Sequence, residues 1–352
     1  MKFKTMSYYS YGNENLPGVM KKINNTVKAA QNIGIDAEHK AFKTKERLVS
    51  AKALLKDNSE LIFIRFAFFI HTFLFPILIY KRLTGAKIII DVPTPRAIAL
   101  NEMRGNKAKN LKIKILWNYI FSSWILFPAN KIIQYADESA FFSFGLKHKT
   151  IKMGNGILID ETTKLVERNK KHNEINLIGV ASLAFWHGYD RLIKALALFA
   201  EENSKYKINF KIIGDGEVLQ DLKDLVTQLQ LEDRVFFKGA LYGEELEQAY
   251  LGMDIGIASL GLYRIGLSEA SVLKTREYMA KGLCVLGTGK DPDFTEDSKF
   301  RFTVPNDESI EPIAKILVQL VNIELPSPEE TREYAKEHLA FEGKLKAILD
   351  GL

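Results

Sequence analysis

The stretch RIGLSEASVLKTREYMAKG, residues 264–282, places Glu269, Lys274, Arg276 and Glu277 within nine positions, directly before the apolar run GLCVLG. The segment EYMAKG reads as a helix with Glu277 in its first turn. Backbone N–H groups at a helix N-terminus lack intrahelical acceptors, and the macrodipole adds to their attraction for negative charge. Lys274 supplies a cation where a diphosphate would lie, and the Glu277 carboxylate can accept hydrogen bonds from sugar hydroxyls. A nucleoside diphosphate needs both kinds of group. The same residues also fit a plainer arrangement, in which Glu277 is a favourable first-turn carboxylate with Lys274 and Arg276 as solvated partners.

Other chemistry-bearing residues are scattered. His187, after Trp186, is either a ligand or a cap residue, and GDG at 214–216 is a strand-to-helix turn open to any Rossmann-like domain. His71 in the apolar run FAFFIHTFLFPILIY, residues 66–80, reads as a core histidine on a buried helix. No Cys/His/Asp set has metal-ligand spacing, so no metal and no cofactor are expected, with the helix dipole and Lys274 doing a metal's electrostatic work.

The elements that must position these residues alternate along 352 residues, enough for two or three domains. Short apolar runs predict strands at 61–65, 87–92, 131–135, 175–182, 208–216, 234–239, 254–259, 283–287 and 300–304, with amphipathic helices between them, notably 19–34 and 189–202. Continuous apolar strands alternating with helices indicate parallel sheets covered on both faces. The polar segment DETTKLVERNKKHNE, 160–174, interrupts the series and predicts a division between domains 1–165 and 166–352, with the last helix free to return to the first. The expected architecture is α/β: two Rossmann-like domains facing across a cleft, the default ligand site.

Charge is divided unevenly. The net +6 resolves into an excess of 14 positive charges over residues 1–150 and 8 negative over the remainder, so the first half is expected to face something anionic. In RGNKAKNLKIKILWNYIFSSWILF, 104–127, Arg104, Lys107, Lys109, Lys112 and Lys114 precede Ile113, Leu116, Trp117, Ile120, Trp124 and Phe127 at helical spacing. That pattern describes either an interfacial helix on anionic lipid or a core helix after a solvated loop. Nucleic-acid binding is not expected, because the basic residues do not alternate with aromatics on a recognised module. One cysteine, Cys284, excludes an internal disulfide and suits a reducing compartment. The opening residues hold no apolar signal region and the longest apolar run is short of a membrane span, so a cytoplasmic protein is expected, peripheral on the inner face of the cell membrane.

The segment GLSEASVLKTREYMAKGLCVLG resembles the E-x7-E region of retaining, nucleotide-sugar-dependent glycosyltransferases of the GT-B fold, the family 4 or group 1 type. GVASLAFWHGYDRLIKAL, KIIGDGEVLQDLK, VFFKGALYGEELEQAYLGMDIGIASLG and VPNDES are similar to that family's segments and come in its order. LPGVMKKINNTVKAAQNIGIDA, LIFIRF, IIIDVPTP and IKMGNGILID resemble its first domain and the crossing to the second. A subgroup of polysaccharide-assembly enzymes resembles this chain at WHGYDRLI, SLGLYR and LKTREY.

The resemblance implies a hexosyl-type transferase moving a sugar from a nucleoside diphosphate donor to a glycan or lipid-linked acceptor in bacterial surface polysaccharide synthesis. It implies that Glu277 holds the donor ribose, that the backbone of Ser271, Val272 and Leu273 with Lys274 holds the diphosphate, and that Glu269 lies near the transferred sugar. Gly18 is implied to let the first domain's loop approach the diphosphate. Catalysis would rest on Glu269 and Lys274. The family's usual Arg and Lys before Gly188 are replaced here by Ser182 and His187, a hydroxyl and an imidazole that helps most when protonated if it stands in for the lysine. Either Arg264, Lys274 and Arg276 restore the positive charge, or the donor is held more weakly or with its phosphates placed differently. The family's first-domain histidine is also missing, and Asp91 or Thr94 is expected on the acceptor side. A sugar-nucleotide epimerase of the same fold and a catalytically silent sugar-nucleotide-binding protein are the alternatives.

Overall fold

Two parallel sheets of six strands each organise the chain, here in a computed structural model that describes residues 3–12, 17–105, 110–159, 163–168 and 173–352. The first comprises β1 (Thr5–Tyr11), β2 (Asp36–Phe42), β3 (Leu61–Arg65), β4 (Lys87–Val92), β5 (Lys131–Gln134) and β6 (Thr150–Lys152), in the order β2-β1-β3-β4-β5-β6. The second comprises β7 (Glu174–Val180), β8 (Lys207–Ile213), β9 (Val235–Phe237), β10 (Ile255–Ile257), β11 (Cys284–Thr288) and β12 (Arg301–Val304), in the order β12-β11-β10-β7-β8-β9. β3 and β4 read LIFIR and KIIIDV, apolar on both faces because helices cover both sides.

Contacts divide the chain into one unit of Met1–Leu158 with Phe341–Leu352 and another of Ile159–Ala340. The division therefore falls before the polar segment rather than at residue 165. Its described residues 163–168 bond to the second unit, since Val166 N–H donates to Lys281 O at 2.9 Å and Arg332 to Thr163 O at 2.7 Å. The last helix, Phe341–Asp350, belongs to the first unit, where Phe341, Leu345 and Ile348 join the core of Ile23, Ala30 and Ile133. Asn32 donates to Glu342 at 2.9 Å beside them.

Two helical expectations need correction. The helical spacing read through residue 127 breaks after the helix Leu111–Phe121, because Ser122 takes φ +39° and a 3-10 turn, Trp124–Leu126, follows. The run 66–80 forms the helix Phe68–Leu83, and it is buried on one side only: Ile70, His71, Leu74 and Leu78 face the core, whereas Phe73, Tyr80 and Leu83 are exposed. His71 is a core residue, as its setting in the run suggested; its Nδ1 lies 3.2 Å from Ala67 N, and burial lowers its pKa to about 4. Among the described residues, no helix is long and apolar enough to cross a membrane.

Candidate functional site

Strand order in the second sheet reverses between β7 and β10, and ligands of open parallel sheets bind beyond the strands' carboxyl ends at such a reversal. The helix Leu273–Ala280 is fastened there by Tyr278. The Tyr278 hydroxyl accepts from Val180 N–H, at the end of β7, at 2.9 Å. Its ring occupies the space above Gly256 of β10, where an added Cβ would stand 2.2 Å from a ring carbon. Lys274 lies one turn before Tyr278 on the same helical face, so the anchor that seats the helix also delivers the lysine to the sheet's end.

The helix opens a turn earlier than the sequence suggested, since Val272 is extended and Thr275 N–H already donates to Val272 O at 3.2 Å. Lys274 therefore stands in the first turn and Glu277 in the second, which corrects the first-turn position expected for Glu277. The Lys274 ammonium lies 3.5 Å from the Tyr189 hydroxyl and 5.4 Å from its ring centroid, and burial lowers its pKa to about 7. Tyr189 itself is buried and begins the helix Tyr189–Glu202.

His187 sits on the other side of Tyr189, with ring centroids 5.8 Å apart, in the 3-10 turn Phe185–His187. Its Nδ1 accepts from Ala184 N–H at 3.1 Å. Burial, and then the charge of Lys274, push its pKa down to about 3. At neutral pH the ring is therefore uncharged, and with Nδ1 accepting, its proton must sit on Nε2. The protonated form in which His187 would stand in for a lysine is thus replaced by a neutral donor. Gly188 follows at φ +66°, and a Cβ there would come within 2.6 Å of the Leu260 carbonyl carbon, so only glycine passes this turn without strain.

Arg264 and Arg276 do not add free charge. Arg264 grips Asp190 with two bonds of 2.8 and 2.7 Å and donates to Phe185 O at 2.7 Å, tying the 185–190 loop to the turn Leu262–Ile265. Arg276 is fully buried and forks onto Asp291 and Asp293, with one bond to Asp291 of 2.7 Å. That Asp-Pro-Asp, passed over in the sequence, is committed to the core rather than to a ligand. Among the described residues no group of three or more His, Cys, Asp or Glu is arranged to hold a metal ion.

Glu269 and Ser271 precede the helix in a segment stitched to the end of β11: Ala270 N–H donates to Lys290 O at 3.0 Å, and Lys290 N–H to Ser268 O at 2.9 Å. Ser271 is buried and Glu269 half-buried. The second unit thus brings together Glu269, Ser271, Val272, Leu273, Lys274 and Glu277 on one segment, and His187 and Gly188 on the adjoining loop. Tyr189, Tyr278 and Asp190 are what the sequence did not reveal; the only signal was tyrosine beside glycine in HGY and at helical spacing after Lys274.

In the first unit, Asp91 is the penultimate residue of β4 and is buried. It accepts from Tyr8 at 2.8 Å, with Arg65 at 3.4 Å and Lys22 at 3.5 Å, and those charges outweigh burial to hold its pKa below the usual carboxylate range. Thr94 lies half-buried in the turn after β4. Gly18 stands in the first turn of the helix Pro17–Asn32, with nothing within 4 Å of where a Cβ would be.

The family model of glycosyl transferases group 1 matches residues 160–338. Mannosylfructose-phosphate synthase of Agrobacterium fabrum is 27% identical over a segment covering 37% of this chain, and the match spans 32% of that protein's length. Among solved structures, the apo form of the lipopolysaccharide outer core galactosyltransferase WaaB is similar at a TM-score of 0.67 and 12% identity, covering 99% of this chain and 100% of that one. Anabaena HepE in complex with UDP is similar at 0.64 and 15%, with 99% and 100% covered. At these identities the structural likeness speaks for the fold, and the paired six-stranded parallel sheets are those of GT-B proteins. Since the family match spans more than half of the residues, the chain belongs to the glycosyl transferases group 1 family.

Proposed function

We propose that this protein is a retaining hexosyltransferase that takes a sugar from a nucleoside diphosphate donor and places it on a glycan or lipid-linked acceptor in bacterial surface polysaccharide synthesis. The observation that carries the proposal is the seating of Lys274 in the first turn of a helix docked at the strand reversal by Tyr278, with Glu277 one turn on. HepE, of the same fold, has been solved with UDP and with UDP-glucose, which favours a nucleotide-sugar donor here.

In this reading the diphosphate lies against the first-turn N–H groups and Lys274. His187 Nε2–H donates to a phosphate oxygen, Glu277 accepts from the ribose hydroxyls, and Glu269 accepts from hydroxyls of the transferred sugar. No carboxylate need act as a nucleophile. The glycosidic C–O bond breaks, the acceptor oxygen attacks the anomeric carbon on the face the phosphate leaves, and the acceptor's proton passes to the departing phosphate. The helix N-terminus and Lys274 stabilise the charge developing there, the electrostatic work a metal would otherwise supply. On the acceptor side, Asp91 is read as the anion that holds Lys22 and Arg65 in place, and Thr94 as a hydroxyl available to a sugar.

Replacing Glu277 with alanine removes a charged acceptor, a loss of roughly 1.5–3 kcal/mol. Donor affinity by calorimetry is expected to fall about tenfold to a hundredfold at unchanged thermal stability; unaltered affinity removes Glu277 from the ribose.

Donor affinity should also depend on pH, through Lys274 rather than His187. The free ammonium titrates near 7, and a bound diphosphate raises its pKa. Affinity is therefore full below pH 7 and falls as pH rises above it, by at most about tenfold per unit, until the bound-state pKa is reached. Calorimetry between pH 6 and 9 checks this, and a flat profile contradicts a Lys274–phosphate contact.

The experiment that tests the function is a panel of nucleotide sugars screened by thermal stabilisation, followed by product analysis with membrane extract as acceptor source. A stabilising donor whose sugar is transferred supports the proposal. Donor converted to an isomeric sugar product without transfer identifies an epimerase, and binding without turnover a silent binding protein.

A further inference from the structure

Two neighbouring segments of the first unit leave an apolar face to solvent. From the helix Phe68–Leu83 come Phe73, Tyr80 and Leu83, the last 80% exposed. The helix Leu111–Phe121 buries only Asn118 and exposes Ile113, Leu116, Trp117 and Ile120, and beyond it Trp124 and Phe127 are 71% and 61% exposed. The segments adjoin. The Phe68 and Phe121 rings are 6.4 Å apart, Arg82 donates to Phe127 O at 2.9 Å, and Phe75, Ile120 and Trp124 line a shared groove of about 270 Å³ with Thr72. The face is therefore continuous, and far more apolar than a solvated helix pair allows.

Its charge selects the occupant. Lys112 is exposed and Lys114 half-buried on the helix Leu111–Phe121, Arg82 is exposed near the end of the helix Phe68–Leu83, and neither helix contains Asp or Glu. A second copy of the chain docking on this face through a two-fold axis would set these cations against each other. Two acid-free helices carrying exposed Trp, Tyr, Phe and Leu beside Arg82, Lys112 and Lys114 instead match the headgroup level of an anionic bilayer, where aromatic rings sit and lysine stems reach the phosphates. The helix Leu111–Phe121, at eleven residues, is too short to span and suits lying in the plane.

We infer that the face formed by Phe68–Leu83, Leu111–Phe121 and the turn after it is a docking surface for an anionic lipid bilayer, entered by Leu116, Ile120 and Trp124. The surface extends the interfacial segment read from the sequence to a second helix, and it stands independently of the transferase activity.

The chain's three tryptophans make it testable, because only Trp186 lies outside the face. In a Trp186→Phe variant, Trp117 and Trp124 report directly. Vesicles of phosphatidylglycerol are expected to sediment the protein, shift emission to the blue and allow quenching by brominated chains, whereas phosphatidylcholine vesicles do none of these. A triple variant, Ile113→Ser, Leu116→Ser and Ile120→Ser, changes only exposed side chains and should keep the fold while losing vesicle binding at least tenfold. Lys112→Gln with Lys114→Gln should weaken binding on the order of tenfold, as added salt does. Failure to sediment with phosphatidylglycerol, or sedimentation with unmoved tryptophan emission, overturns the inference. Self-association without vesicles that the triple variant abolishes, with no vesicle binding, gives the face to a second copy.

Discussion

Lys274→Ala is expected to lower kcat by about 100- to 1,000-fold, the range seen when one preorganised donor to a developing charge is removed. The loss should fall on kcat rather than KM, because the charge on the departing phosphate exceeds that in the ground state, and only interactions that strengthen along the reaction accelerate it. Tyr189 makes the expectation specific. Its ring and hydroxyl lie beside the ammonium and fix its position, while burial lowers the free lysine's pKa to about 7, so the lysine gains most when a phosphate arrives. Lys274→Arg should restore part of the binding and little of the turnover, since a planar fork does not fit beside Tyr189 as a point charge does. A loss confined to KM would reduce Lys274 to a donor clamp.

Arg276→Ala is expected to destabilise the second unit by roughly 3–5 kcal/mol, the consequence of removing the cation that forks onto the buried Asp291 carboxylate. The Arg276 fork contacts both Asp291 and Asp293, and Asp291 is itself buried. Arg276→Lys keeps the charge but one ammonium replaces two fork arms, so an intermediate loss follows. Trp186, the only tryptophan between 159 and 340, reports unfolding of this unit in urea. Wild-type stability in Arg276→Ala would mean that the two carboxylates reach solvent or protonate without cost.

These two residues show where the sequence was legible and where it was not. The spacing of Glu269 and Glu277 and the lysine between them pointed to a ligand site on a helix, and the helix lies at the strand reversal. Lys274 and Arg276 were both expected to add positive charge at that site. Two residues apart on a helix they point about 200° apart, so one meets the sheet's end and the other the core. Nothing local could assign them, because the deciding partners, Tyr189 and Asp291, are remote in sequence. His187 was misread for a similar reason: its charge depends on burial and on the nearby charge of Lys274, neither visible in WHG.

Strands followed the same logic. β3, β4, β7, β8 and β11 announced themselves as apolar runs, whereas β1, TMSYYSY, read as polar although it is buried through most of its length. Its tyrosines bring their own partners inside, Tyr8 to Asp91 and Tyr9 to Asp57 at 2.6 Å. β2, DAEHKAF, is an edge strand with half its side chains toward solvent and so lacks the apolar run that marks a central one.

Retention at a site with no assigned nucleophile is the central claim, and the anomeric configuration of the first sugar released tests it most directly. With an α-linked nucleotide sugar that stabilises the protein and no acceptor but water, proton NMR of slow donor hydrolysis should show the α-anomer appearing first, before mutarotation mixes the two forms. Release of the β-anomer first would mean attack from the opposite face, and would contradict a mechanism in which the phosphate leaves and the acceptor enters on the same side.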